Sequence, residues 1–230
     1  MKTLQSLLVA GLVLGSSLVS LRAEISAQAW LETYYLDPQP AAIPHAIDQL
    51  SREGYFDRAE NVAVAIGFFG TLFEQQPDRV DGWLQSAGKL PVRHQRLLVA
   101  ALWQSGHPRS DELLRQFGQA SPVRAEVERL AGIPSPQIID VSVRSPSSLR
   151  LRWGAFLATG NERHLLAIFD AFRLNEPTLS IATRQALARN AAAHPRVMEI
   201  CRAQLDRQSD EIRSELRDTL RQAELLGPLY

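Results

Sequence analysis

The sequence predicts an all-α protein, either an irregular HEAT-like α-solenoid or a layered multi-helix bundle, following an N-terminal signal peptide. Two patterns predict the helices: apolar residues recur at i, i+3, i+4 and i+7 along nearly the whole chain, and proline or glycine punctuates that rhythm at intervals of one short helix. A third observation predicts the leader. Lys2 is followed by an uncharged apolar run, 4–21, whose second half loosens through Gly11, Gly15, Ser16, Ser17 and Ser20. That is the layout of a secretory signal peptide, expected over 1–23, with Ala23 as the preferred residue before the cut and Ala27 as the second choice. The sole cysteine, Cys201, is far from any position a lipoprotein anchor would need.

Trp30, Leu31, Tyr34 and Tyr35 form the face of a first helix, ended by Asp37, Pro38 and Pro40 because proline lacks the N–H donor and restricts the residue before it. Ile43, Ala46, Ile47 and Leu50 mark the second helix, closed by Gly54. Val62, Ile66, Phe69 and Phe73 make a long stripe that stops before Pro77 and is expected to be the central helix of the N-terminal half. Val80, Trp83, Leu84 and Ala87 follow. Pro91 then opens a helix carrying Leu97, Leu98, Ala101 and Leu102, with Gly106 placed for a left-handed C-terminal cap. Ser110 and Ser121 are the expected N-caps of two shorter helices.

Between Gly132 and Ser148 the character changes, because Pro134, Pro136 and Pro146 flank the partly alternating Ile138, Ile139, Val141 and Val143. An extended connector over 133–148, with room for one short strand, is expected to join a helical lobe over 24–132 to another over 149–230. The two lobes are expected to pack as one domain. Leu149, Trp153, Phe156 and Leu157 resume the helical rhythm up to Gly160, Asn161 caps the next helix, and Pro177 and Pro195 open two more. The charged segment from Ser209 to Gly227 keeps Ile212, Leu216 and Leu220 in register. Arg202 with Asp206, Arg207 with Glu211, and Asp218 with Arg221 have the spacing of ion pairs on a solvated helix face.

Two echoes run through these helices. With an offset of 54, Arg96, Leu97, Ala101, Leu102, Ser105, Gly106 and Arg109 align with Arg150, Leu151, Ala155, Phe156, Thr159, Gly160 and Arg163. The segment beginning His107, Pro108, Arg109 also aligns with that beginning His194, Pro195, Arg196. No regular period emerges, so the content is architectural: short antiparallel helices, repeatedly capped, each burying a face on its neighbours.

Composition narrows the function classes. Basic and acidic residues balance at 25 each, which removes the electrostatic argument for nucleic acid or an anionic membrane surface. One thiol makes no intrachain disulfide. The histidines, His45, His94, His107, His164 and His194, lack the spacing of a zinc motif, and His164 is expected to face solvent. No Gly-x-Ser-x-Gly elbow occurs, Ser105, Gly106 and His107 read as a helix end, and Gly67 and Gly70 read as close-packing positions rather than a phosphate loop. No catalytic, cofactor-binding or metal-binding residue is assigned. Glu32, Glu60 and Glu74, on helices with aromatic neighbours, are the carboxylates a glycosidase-like enzyme could use. Cys201, on the face of Val197 and Leu205, is expected to be a buried small apolar residue. Tyr34, Tyr35, Trp83 and Trp103 are candidates for an interaction edge, against the default of core packing.

Trp30, Tyr34 and Tyr35 before Pro38 and Pro40, then Ile66 to Phe69, Ala101 to Gly106 and Trp153 to Gly160 resemble a group of uncharacterised exported bacterial α-helical proteins. The resemblance spans most of the chain after the leader. It implies a bacterial, extracytoplasmic setting, and it carries no activity and no functional residues. The expectation is a periplasmic or secreted helical interaction or scaffold protein with a protein partner, touching a membrane only through an uncleaved leader. The alternative is a helical hydrolase of cell-wall or periplasmic substrate working through a carboxylate.

Overall fold

The computed structural model describes residues 26–119, 122–130, 132–174 and 176–227; the leader expected over 1–23 and the cap expected at Ser121 lie outside them. The described residues are all-α, with helices packed in layers. In chain order they are α1 (Ala27–Thr33), α2 (Ile43–Arg52), α3 (Ala59–Gln75), α4 (Val80–Ala87), α5 (Val92–Trp103), α6 (Ser110–Gln119), α7 (Arg124–Leu130), α8 (Pro146–Thr159), α9 (Glu162–Phe169), α10 (Pro177–Ala193), α11 (Pro195–Gln204) and α12 (Asp210–Leu226). Short 3-10 turns at Tyr34–Leu36, Tyr55–Asp57, Ile138–Asp140 and Asp170–Leu174 lie between them.

The core is organised around α3. Ala65 and the whole run from Gly67 to Phe73 are buried, as expected of a helix covered on every side. It is held between α5 and α8. The approach to α8 is backbone to backbone: a Cβ on Gly67 would stand 2.0 Å from the Leu151 carbonyl oxygen, and one on Gly154 would stand 1.9 Å from that of Val64. Gly70 plays the same part against α5, where a Cβ would meet the Ala101 carbonyl oxygen at 2.9 Å. Gly67 and Gly70 are therefore close-packing residues, as the sequence suggested. The C-terminal layer sets α10 against α11 and α12, with Arg184 of α10 donating through Nε and Nη2 to Glu215 Oε2 of α12 at 2.8 and 2.6 Å.

The 54-residue echo has a structural counterpart at two helix ends. Gly106 and Gly160 both take the left-handed conformation, at φ 68° and 66°. Just before each, a hydroxyl (Ser105, Thr159) accepts the backbone N–H two residues on, from His107 and from Asn161. Those residues act alike in turn: His107 Nδ1 accepts from the Arg109 amide and Asn161 Oδ1 from the Arg163 amide, each at 3.0 Å. An imidazole thus serves where the echo has a carboxamide, which also fixes His107 with its proton on Nε2.

Several local expectations are corrected. The alternating stretch at 138–143 is not a strand: Ile138–Asp140 is one 3-10 turn, and α8 begins at Pro146 inside the expected connector. The turn is held from α8, because Arg152 donates to the Ile139 and Val141 carbonyls at 2.7 and 2.8 Å. His164 does not face solvent. It is 3% exposed and its Nδ1 lies 3.2 Å from Arg152 Nη1, so a buried cation and a buried imidazole satisfy each other. Ser110 is the first residue of α6 rather than its cap. Because α11 ends at Gln204 and α12 starts at Asp210, the pairs Arg202 with Asp206 and Arg207 with Glu211 straddle a break; Arg202 reaches Glu224 instead, at 3.2 Å, while Asp218 does pair with Arg221.

Candidate functional site

Burial separates the four aromatic candidates. Tyr34 and Trp83 are 3% and 4% exposed. They stand at the two ends of a run of ring contacts through Phe68, Phe69 and Phe73, with centroids 5.2 to 6.4 Å apart. They are core residues, and they present no exposed edge. Tyr35 and Trp103 are half-buried and engaged on separate elements: Tyr35 packs on Phe156 with its hydroxyl 3.4 Å from His194 Nδ1, and Trp103 Nε1 donates to the Ile133 carbonyl at 3.2 Å. The structure does not bring the four together.

What it does bring together is a groove of about 760 Å³ built by α1, α3, α8 and α10. This is within the range of ligand-binding clefts. Val64, Leu149, Trp153, Leu157 and Ala186 supply its apolar surface. The polar lining is mixed in sign, with Glu32 and Glu60 from α1 and α3, and Arg150 and Arg189 from α8 and α10. Gln28, Asn61, Gln185 and Asn190 add four carboxamides. The cause is local: the α10 face combines small Ala182, Ala186 and Ala193 with longer polar side chains, so it cannot fill the space beside the bulky face of α8.

Glu32 sets the electrostatics of one end. Its carboxylate opposes the burial that pushes the His194 imidazole below its ordinary range, and it adds to the burial that raises the Tyr55 phenol. Gln28 Nε2 donates to it at 2.9 Å. Two of the three candidate carboxylates, Glu32 and Glu60, therefore share this groove. Glu74 lies elsewhere, where burial and nearby Asp140 raise its carboxyl above the usual range. Trp153 is 5% exposed and its indole N–H has no hydrogen-bond partner. A buried donor left in that state costs about 1–3 kcal/mol, which makes it the least satisfied group of the groove.

A second constellation escaped the sequence because its members are up to 43 residues apart. Ser51 Oγ lies 2.7 Å from His94 Nδ1, and His94 Nε2 lies 2.8 Å from Asp57 Oδ1. The order of groups is that of a charge-relay nucleophile, but the surroundings are structural. The neighbouring amides of Glu53 and Gly54 already donate to the carbonyls of Gln49 and Ser51, so they offer no oxyanion donors. The Asp57 carboxyl is held below its usual range first by the His94 hydrogen bond and then by Arg93. The cluster ties the end of α2 to the start of α5. Among the described residues no group of three or more His, Cys, Asp or Glu could hold a metal ion, and no helix is long and apolar enough to cross a membrane.

No protein-family model, curated protein or solved structure matches this chain. The groove must be read from its own chemistry. Sequence reasoning missed Arg150, Trp153, Gln185, Arg189 and His194 as neighbours. The available signal was the pair of faces at 146–157 and 182–193, each mixing apolar residues with long polar ones at helical spacing.

Proposed function

We propose that this chain is an exported helical interaction protein that docks a protein partner in the groove between α1, α3, α8 and α10. The observation that carries the reading is the groove itself: its lining combines apolar surface, both signs of charge and carboxamides. Protein surfaces offer that same mixture. Export to the periplasm or cell exterior rests on the apolar leader behind Lys2, and the balanced charge favours a protein over nucleic acid.

A photo-crosslinking residue in place of Gln185, used in periplasmic extract, is expected to capture a discrete partner. Ala182→Trp, which fills the groove, is expected to abolish the capture while the circular dichroism stays native. Equal capture by the filled variant would overturn the reading.

One observation favours a second reading, a carboxylate hydrolase, because Glu32 and Glu60 line the same groove. Digestion of muropeptides by wild type, lost in Glu32→Gln and Glu60→Gln but kept in Glu74→Gln, would establish it. Inactivity of the wild type would retire it.

A further inference from the structure

The groove has a length and a polarity that specify its occupant more narrowly. On α8 the lining runs from Pro146 to Leu157, and on α10 from Ala182 to Ala193. Each face runs from its first to its twelfth residue, or about 16 Å at the helical rise. The glycine contacts fix how α3 lies along α8: Gly67 meets Leu151 and Gly154 meets Val64, so the two helices run antiparallel. That register carries Glu60 to the C-terminal end of α8, beyond Leu157. Glu32 belongs to the same end, since it acts on His194, which follows α10, and on Tyr55. Arg150 sits two turns towards the N-terminus of α8, about 12 Å from the carboxylate end. The C-terminal half-dipole of α8 adds to the negative potential beside Glu60.

Between these ends lies a group suited to a peptide backbone. The Gln185 side chain has no hydrogen bond among the described residues, and a carboxamide offers the same donor and acceptor as a peptide group. An extended chain rises about 3.3 Å per residue and returns to the same face every second residue, so side chains four apart are on one face and about 13 Å from each other. A helix pairs its interior backbone groups with one another and leaves none for the Gln185 side chain, whereas an extended chain presents them.

We infer that the groove binds an extended peptide segment in which a Lys or Arg and an Asp or Glu stand four residues apart. The cation is held by Glu32 and Glu60, the carboxylate by Arg150 with Arg189, and a backbone peptide group pairs with the Gln185 carboxamide. This rests on the groove being the docking site.

The test uses end-blocked, fluorescein-labelled heptapeptides in which Lys at position 2 and Asp at position 6, or the reverse, flank uncharged residues. Controls carry like charges, or the same two charges two residues apart. Fluorescence polarisation is expected to show at least one four-spaced order binding about tenfold tighter than every control, a difference of 1.4 kcal/mol. Glu60→Lys and Arg150→Glu alter only exposed positions, so folding is not at issue. Glu60→Lys is expected to shift the preference to Asp/Asp peptides and Arg150→Glu to Lys/Lys peptides. In a 1H–15N spectrum the Gln185 side-chain amide resonances, assigned by their loss in Gln185→Leu, are expected to shift on binding. If no peptide is discriminated by spacing, or if the charge reversals leave the preference unchanged, the inference is overturned. With groove-dependent capture at Gln185 intact, that outcome removes the extended-peptide occupant alone; without such capture, the docking reading falls as well.

Discussion

Substituting Gly154 by alanine adds one methyl group at the tightest point in the molecule. The new Cβ would lie 1.9 Å from the Val64 carbonyl oxygen and 2.8 Å from the Phe68 amide nitrogen, both backbone atoms that no rotamer change can move. Ordinary contact at 3.4 Å then requires α3 and α8 to part locally by about 1.5 Å. Both helices are buried over this stretch, so parting them loosens Phe68, Phe69 and Phe156 together. Overpacking of this kind costs typically 1–3 kcal/mol, and more where backbone must move. Against it stands the helix propensity gained on replacing glycine, about 0.8–1 kcal/mol. The expected net loss is about 2 kcal/mol, or a fall of about 4–8 °C in Tm for a chain of this size. Gly82→Ala is the matched control: Gly82 is inside α4 with nothing within 4 Å of its added Cβ, so propensity alone acts and the variant gains up to about 1 kcal/mol. Urea unfolding followed by far-ultraviolet circular dichroism measures both. A Gly154→Ala protein as stable as wild type, or stabilised like Gly82→Ala, would refute the backbone-contact account of α3 on α8.

Other features give sharper readouts than global stability alone. Burial first, and the Arg152 charge second, lower the His164 imidazole to about 4 from an unfolded value near 6.5. Above pH 6.5 both states are neutral there; as pH falls towards 4 only the unfolded state takes the proton, so the fold loses about 3 kcal/mol over that window. His164→Gln, which keeps an acceptor for Arg152, is expected to flatten this part of the stability–pH profile, and an unchanged slope would contradict the assignment. Arg152→Leu leaves the Ile139 and Val141 carbonyls without their donor; hydrogen exchange is expected to accelerate at 138–143 before elsewhere, with about 2–4 kcal/mol lost. Cys201 is fully buried and burial pushes its thiol up to about 12, so a disulfide reagent is expected to label it only at the rate of unfolding. Asn161→Ala removes the cap of α9 and is expected to cost about 1 kcal/mol in urea unfolding.

The local grammar of this chain is open to reading, while its cross-chain contacts are not. Proline at 177 and 195, the cap at Asn161, and the left-handed Gly106 and Gly160 mark helix ends that the structure reproduces within a residue or two, because capping is decided by neighbours in sequence. Even the 54-residue echo foretold a shared ending at two helices. His164 misleads because its burial depends on Arg152 arriving from another helix with its own partners attached. Tyr34 and Trp83 mislead for the same reason: nothing local tells whether an aromatic meets Phe68 and Phe73 or meets solvent. The groove is the furthest from sequence, since it exists only once Gly67 and Gly154 have set the register of α3 on α8 and α10 has been laid alongside.

Hydrogen exchange of the protein, alone and mixed with the partner captured at Gln185, addresses the groove most directly. The account predicts slowed exchange at 28–32, 146–157 and 182–194, with α5, α6 and α12 unchanged. A footprint on α5, α6 or α12 that leaves 146–157 and 182–194 untouched would contradict it.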